Sequence, residues 1–324
     1  SDGDAWLCFQ CNDCVTYCPV DARPGDVMAA VRNYQMTTYA VPSFLAKASQ
    51  GLKYLPMAFI IPVILMGILI FTAILYPNGG QFEFPEEERI LFEDLISEIH
   101  IDIVTLSTLA VVFSLAGFGL YRFWRTISES HAAAPKKNDF LSSLSFGLVE
   151  AFTHRRFKEC GTNKTRLYAH AAIFYGFIML VMATTGAFVY TVILPFLGIE
   201  WSGGDLSLPL YDPVKIIGNV GGVLLLGGAT YAVYMRLTDR ETAGSTVYFD
   251  WFFIAVLYIT AVTGFLLEGL RFSGWKEVAY SSYLVHLLFV YTLFVYFPFS
   301  KFAHLMYRIA ALTHAKQIGR EAGV

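Results

Sequence analysis

Six apolar stretches, near residues 55–76, 100–124, 168–195, 214–236, 248–270 and 279–304, constrain this chain more than any other feature. Each reaches the roughly 20 residues that a helix needs to cross a bilayer. A segment in lipid must satisfy its backbone groups internally, so such stretches fold as helices. The expected class is an all-α membrane protein with six transmembrane helices. Pro56, Pro62 and Pro298 fall in the first and sixth stretches, where membrane helices tolerate them better than soluble ones do. Composition agrees: 56% of the 324 residues are hydrophobic and 15% charged, against about 25% charged in soluble chains. That excludes a disordered protein and a secreted disulfide scaffold. A net charge of −3 and the lack of a Gly-rich phosphate loop exclude a nucleic-acid binder.

Loop charges orient the helices. Between the second and third spans lie Arg122, Arg125, Lys136, Lys137, Arg155, Arg156, Lys158, Lys164 and Arg166. Arg236 and Arg240 follow the fourth span, and Lys301, Arg308, Lys316 and Arg320 close the chain. Arg23, Arg32, Lys47 and Lys53 precede the first span. The alternate loops are acidic, with Glu83, Glu86, Glu87, Glu88, Glu93, Asp94 and Glu98 after span one and Glu200, Asp205 and Asp212 after span three. Basic loops stay inside, which predicts cytoplasmic N- and C-termini in the cytoplasmic (inner) membrane. Aromatic residues at span ends, among them Tyr121, Phe123, Trp124, Tyr248, Phe249 and Trp251, read as interfacial belts. The spacing of Ile90, Leu91, Leu95, Ile96 and Ile99 within 85–99 predicts an amphipathic helical lead-in to span two.

Four of the five cysteines fall together: Cys8, Cys11, Cys14 and Cys18, followed by Pro19. This is C-x2-C-x2-C-x3-C-P, a spacing for iron–sulfur ligation and not for disulfides. Thiolates are the soft ligands that a [4Fe–4S] cube needs. In proteins with two cubes the fourth cysteine of such a run serves the other cluster. Cys8, Cys11 and Cys14 are thus expected to hold one cluster and Cys18 to serve a second, with the partner run upstream of Ser1 or on another chain. A zinc knuckle, the competing reading, calls for pairs separated by a longer loop. The chain starts at Ser1 without an initiator Met or a signal-peptide pattern, so a truncated segment is expected upstream. Cys160 stands alone in a basic loop and reads as a packed thiol.

Of seven histidines, His170, His286 and His304 lie in or at the ends of spans, and His100 at the start of span two. Imidazoles in a membrane are costly unless ligated or paired. If one helix covers 279–304, the 18 residues from His286 to His304 make five turns, placing both on one face about 27 Å apart. Two such ligands suit two stacked b haems. His170 pairs with His304 for the inner haem. His286 needs a partner for the outer one, for which His100 is the candidate although about one turn too far out; a five-coordinate haem is the alternative. The competing reading for these residues is interfacial histidines. His154, among cations in THRRF, reads as a loop residue or as lining a pocket, and His131 and His314 as surface residues.

The segments CFQCNDCVTYCPVDARPGDVMAAVR, HRRFKECGTNKTRLYAHAAIFYGF and the His286–His304 stretch resemble the membrane subunit of the quinone-interacting membrane-bound oxidoreductase (Qmo) complex. That subunit is similar to the diheme gamma subunit of respiratory nitrate reductase and to the membrane subunit of heterodisulfide reductase. The resemblance implies a cytoplasmic ferredoxin-like segment and linker at 1–54, a transmembrane haem b domain at 55–313 and a cytoplasmic tail at 314–324. It also implies a quinone-reactive oxidoreductase subunit. Menaquinol would be oxidised, and electrons would pass through b haems and [4Fe–4S] clusters to soluble flavin/iron–sulfur subunits and then to adenylylsulfate reductase in sulfate respiration. In the nitrate reductase subunit a second histidine follows the first of span three by ten residues; here that position is Leu180. A sulfite- or heterodisulfide-reductase-type complex, and a haem-free anchor for soluble redox subunits, are the alternatives. A transporter needs ionisable groups along a mid-membrane path, and Glu268 sits too near a span end for that.

Overall fold

The computed structural model describes residues 2–20, 22–48, 51–75, 90–159, 164–199, 210–239 and 246–320. Cys160 and the acidic stretches at 83–89 and 200–209 lie outside them. Among the described residues there is no strand. The helices are α1 (Asp4–Leu7), α2 (Asp13–Thr16), α3 (Pro24–Tyr39), α4 (Ser43–Ala48), α5 (Leu55–Leu75), α6 (Phe92–Leu95) and α7 (Glu98–Ser130). They continue with α8 (Phe140–Thr153), α9 (Lys164–Phe188), α10 (Pro213–Thr238), α11 (Tyr248–Leu270), α12 (Lys276–Val295) and α13 (Ala303–Gln317). A π turn over Val189–Ile193 and a short helix at Leu194–Phe196 prolong α9. Six helices (α5, α7, α9, α10, α11 and α12) are long and apolar enough to cross a membrane, as the hydrophobic pattern predicts.

The sixth span departs from the sequence reading. The stretch 279–304 is not one helix: α12 ends at Val295, a 3-10 turn covers Phe297–Phe299, and α13 restarts at Ala303. Pro298 has no N–H to continue the ladder, and Ser300 is extended at φ −123°, ψ −172°. His286 and His304 therefore sit on different helices and do not share one helical face. The lead-in to span two is broken too, because Ile96 is extended (φ −139°, ψ 113°) between α6 and α7. Ile90, Leu95 and Ile96 are nonetheless buried, against Tyr280 and Tyr291 of α12.

Small residues set the spacing of α9 and α10. A Cβ at Gly176 would stand 2.7 Å from both the Gly221 carbonyl and the Leu225 nitrogen; one at Gly228 would stand 2.8 Å from the Ala169 carbonyl. Such backbone approach is how membrane helices associate where apolar burial gives no net drive. Then α10 leans on α11, α11 on α12, and α12 on α5 and α7. The start of α10 is fixed by Asp212, whose carboxylate accepts the Val214 N–H at 2.8 Å, with Pro213 in the first helical position. Lys215 and Glu268 form an ion pair between α10 and α11, so Glu268 has a structural partner.

The amino-terminal segment is docked on the bundle. Trp6, 1% exposed, packs against Tyr307 of α13 (ring centroids 5.1 Å) and the edge of Phe123 of α7 (6.1 Å); Tyr39 of α3 meets Phe123 at 5.3 Å. Each aromatic pair adds about 0.5–1.5 kcal/mol beyond its buried area. Residues 314–317, expected to begin a tail, instead complete α13. There the Gln317 carbonyl accepts the N–H groups of Lys137 and Asn138 at 2.8 and 3.1 Å.

Candidate functional site

The cysteine run lies along the loop and short helices before α3. Gln10 (φ 53°) and Asn12 (φ 65°) take left-handed conformations, which bend the chain sharply between Cys8 and Cys14. Asparagine tolerates that region better than most residues. Cys8, Cys11, Cys14 and Cys18 are free thiols, Cys14 exposed and the others half-buried. The Gln10 N–H donates to the Cys8 Sγ and the Ala22 N–H to the Cys18 Sγ, each at 3.3 Å. Bonds of this kind favour the thiolate over the thiol. Among the described residues no three His, Cys, Asp or Glu side chains stand close enough together to hold a metal ion. The donor chemistry of the run fits an iron–sulfur cube, although no three of its thiols converge on a single ion.

Beneath this loop, cations gather. Arg32, 6% exposed, donates to the carbonyls of Met28 (3.2 Å) and Cys8 (3.3 Å) and to the Gln10 side chain. Arg308 of α13 donates to the same Cys8 carbonyl at 3.3 Å and lies 4.0 Å over the Phe9 ring. Arg166, at the start of α9, is within electrostatic range of Cys11, Arg32 and Arg236. Lys301 bonds Asp250 at 2.6 Å and feels Arg32 and Arg236 as well. Burial pushes the Arg32 guanidinium below its ordinary range, opposed by the neighbouring charge of Cys8. Burial likewise lowers Lys301, with Asp250 opposing. Like charges so close repel strongly where water is scarce. The five cations create a positive potential suited to anions such as haem propionates or a thiolate-bound cube, whose overall charge is negative.

The histidines fall at two depths. At the cysteine end, His304 begins α13 and lies within electrostatic range of His170, Arg308 and Lys301. His170 is exposed on α9 although protein crowds around its ring. Its ring meets those of His154 (5.0 Å), Phe157 (6.4 Å) and Phe174 (6.3 Å, stacked). Phe177 of α9 and Phe302, two residues before His304, pack on each other with ring centroids 4.5 Å apart. His154, in left-handed backbone at the end of α8 (φ 52°), is thus part of this group and more than a loop residue. Burial depresses its basicity.

His286, half-buried on α12, lies deeper. Its Nδ1 is 2.9 Å from the Thr263 hydroxyl, and Gly264 leaves room beside the ring, since a Cβ there would come within 3.4 Å of it. Thr263 is 13 residues along α11 from Asp250, or about 20 Å at 1.5 Å per residue. Two depths are thus kept, although by different helices from those expected. His100 occupies the first turn of α7. The residues of α12 that face α7 and the α6 region include Tyr280, Tyr283, Leu287 and Tyr291. His286 lies roughly 100° round the helix from their mean direction. The structure brings His170 and His304 within electrostatic range of each other. Leu180 packs with Leu225 and Leu257 in the core.

One histidine expected at the surface is inside. His314, 7% exposed, lies 5.3 Å from the half-buried His131 ring and 5.7 Å from Trp124, where α13 packs between α7 and α8. Sequence reasoning also missed Arg32, Arg308 and Thr263. For Arg308 the signal existed: it follows His304 by one helical turn. Nothing in the sequence singles out Thr263.

A family model described as "Citrate utilization protein B" matches residues 99–323. Citrate utilization protein B of Escherichia coli is 26% identical over 98% of this chain and 83% of its own length. A subunit of the dihydromethanophenazine:CoB–CoM heterodisulfide reductase of Methanosarcina barkeri is 24% identical over 68% of this chain and 94% of its own. The corresponding subunit from Methanosarcina thermophila is 25% identical over 68% and 94%. No solved structure matches.

Proposed function

The chain belongs to the citrate utilization protein B family, and from that premise we propose that it is a membrane-embedded electron-transfer subunit. It exchanges electrons between a quinol in the bilayer and soluble redox partners. The observation that carries the reading is the union of thiols and imidazoles at one end of the bundle. The Cys8 carbonyl is held by Arg308, on the helix whose first turn carries His304. The similarity to a heterodisulfide reductase subunit, a named part of a redox complex, supports the same class.

In this reading His170 and His304 hold one b haem and His286 a second, while Cys8, Cys11 and Cys14 ligate a [4Fe–4S] cluster and Cys18 serves another. These groups supply one-electron chemistry in which no bonds are made or broken. The protein's own residues do the rest. Thr263 fixes the His286 ring through Nδ1, leaving Nε2 to face a ligand, as second-shell partners of metal-bound imidazoles do. Arg166 and Arg236 offer charge for carboxylates, and Phe174, Phe177 and Phe302 keep the inner site dry.

The finer assignment is menaquinol as donor, with electrons passing to flavin/iron–sulfur subunits and adenylylsulfate reductase, and it rests on the Qmo-like segments. The nitrate reductase gamma likeness enters there too, with Leu180 in place of its second histidine. A heterodisulfide-reductase-type partner is the second reading, favoured by the two Methanosarcina relatives. A reduced-minus-oxidised spectrum of the purified chain tests the core claim. A b-type band that loses one component in His304→Ala is expected, and a band-free spectrum with no pyridine haemochrome refutes it. Copurification from mild detergent identifies the soluble partner.

A further inference from the structure

We infer that Arg308 is the positioning residue that couples the cysteine loop to the inner histidine pair, holding the loop in place while lending both redox sites the same positive charge. This rests on the reading of the two sites given above and goes beyond it.

Two contacts and a charge effect meet in this one side chain. Its Nη1 donates to the Cys8 carbonyl at 3.3 Å, which fixes the first thiol-bearing residue. Its guanidinium plane lies 4.0 Å over Phe9, the next residue of the loop, in a cation–π contact. Its backbone stands one turn after His304 on α13, and its charge reaches His304, His170 and His154. Arg32 shares the Cys8 carbonyl from the other side, but it arises from α3, a helix of the docked segment. Arg308 is the cation that reaches across from the helix bearing the imidazole. Only arginine combines a flat fork, an aromatic-stacking face and a charge that is not lost at any ordinary pH.

The chemical consequence follows from Coulomb's law. A fixed positive charge favours whichever oxidation state carries more negative charge, and in both sites that is the reduced one. Arg308 therefore raises both reduction potentials together, and one-electron exchange between the sites stays closely matched while each is shifted. A residue that served only as packing would hold the loop without moving either potential.

The test is a potentiometric titration of the full chain, reading the b-type absorbance band and the cluster's electron paramagnetic resonance signal in one series. Arg308→Gln is expected to shift both midpoints to more negative values. Arg308→Lys, which keeps the charge, should restore most of the shift. Arg125→Gln, which removes an exposed cation paired with Glu129 on the outer face of α7, should leave both unmoved. Unmoved midpoints in Arg308→Gln with both signals intact overturn the role of Arg308 alone. Equal shifts in Arg308→Gln and Arg308→Lys overturn it as well, since packing would then be the cause. Should Arg308→Gln fail to assemble, Arg308→Lys carries the test, and displaced midpoints there refute the charge argument. A wild-type chain lacking either signal refutes the underlying reading instead, and this inference with it.

Discussion

Adjacent glycines on α10 give a sharp test of how the inner site is held. At Gly228 an added Cβ would stand 2.8 Å from the Ala169 carbonyl, 2.9 Å from the Ala172 Cβ and 2.9 Å from the Ile173 nitrogen. Ordinary contacts lie at 3.4–4 Å. Two of the three atoms are backbone, which no rotamer change can move, so α9 must retreat by at least ~0.5 Å, about the shortfall of an overpacked contact. At Gly227 nothing lies within 4 Å. Both Gly→Ala changes share the helix-interior gain of roughly 0.5–1 kcal/mol, so the difference between them isolates the clash. Overpacking costs about 1–3 kcal/mol, a factor of roughly 5 to 150 in the unfolding equilibrium. Gly228→Ala is therefore expected to unfold earlier than Gly227→Ala when SDS is titrated into detergent-solubilised protein and helicity followed by circular dichroism. Ala169 immediately precedes His170, so the same change should displace the His170 ring. Equal stability of the two variants, or a Gly228→Ala protein at least as stable as the native one, would sink the close-packing argument.

Other outcomes follow from the same geometry. Thr263→Val removes the hydroxyl at the His286 Nδ1 and is expected to lower haem retention at that site roughly 10–100-fold, the usual cost of losing an outer-shell partner. Thr263→Ser should keep it, and haem titration of the apoprotein measures both. Cys11→Ser should abolish a paramagnetic cluster signal while leaving the b-type band; loss of both would contradict separate sites. Tyr39, 6% exposed, has its phenol pushed up to about 12 by burial and by its bond to Asp2. A raised acid favours the folded state while neutral, so this contribution is whole below the unfolded value near 10. It is lost as pH climbs from there to about 12. Limited proteolysis of the amino-terminal segment should accelerate across that window, and less so in Tyr39→Phe.

The membrane-length helices were legible because hydrophobic length is a one-dimensional property. The spans near 55–76, 214–236 and 248–270 correspond closely to Leu55–Leu75, Pro213–Thr238 and Tyr248–Leu270. The break after Val295 was not read, although Pro298 was visible, because membrane proteins keep many helices intact across proline and hydropathy alone cannot tell the two cases apart. The site was legible in part for a similar reason. Cysteine spacing and intramembrane imidazoles announce themselves by residue type. The links between them do not: Thr263 reaching His286, or Phe9 lying under Arg308, depend on which faces of distant helices meet. His314 was misread because a basic, histidine-bearing C-terminal stretch resembles a solvated tail, whereas α13 buries Ala311, Leu312 and Ala315 against its neighbours.

The interruption at Phe297–Ser300 puts the two imidazole levels, those of His286 and His304, on separate helices. His286 belongs to α12, which packs on α5, α7 and α11. His304 belongs to a cap in which α13 packs on α8, α7 and the amino-terminal segment, with Asp4 and Arg320 paired at 2.8 Å. Changing acyl-chain length should therefore perturb the deeper level first. A protein seated on the cap, or a bulky fusion at the carboxyl end, should be felt at the other, and the short turn between them is where the two influences meet.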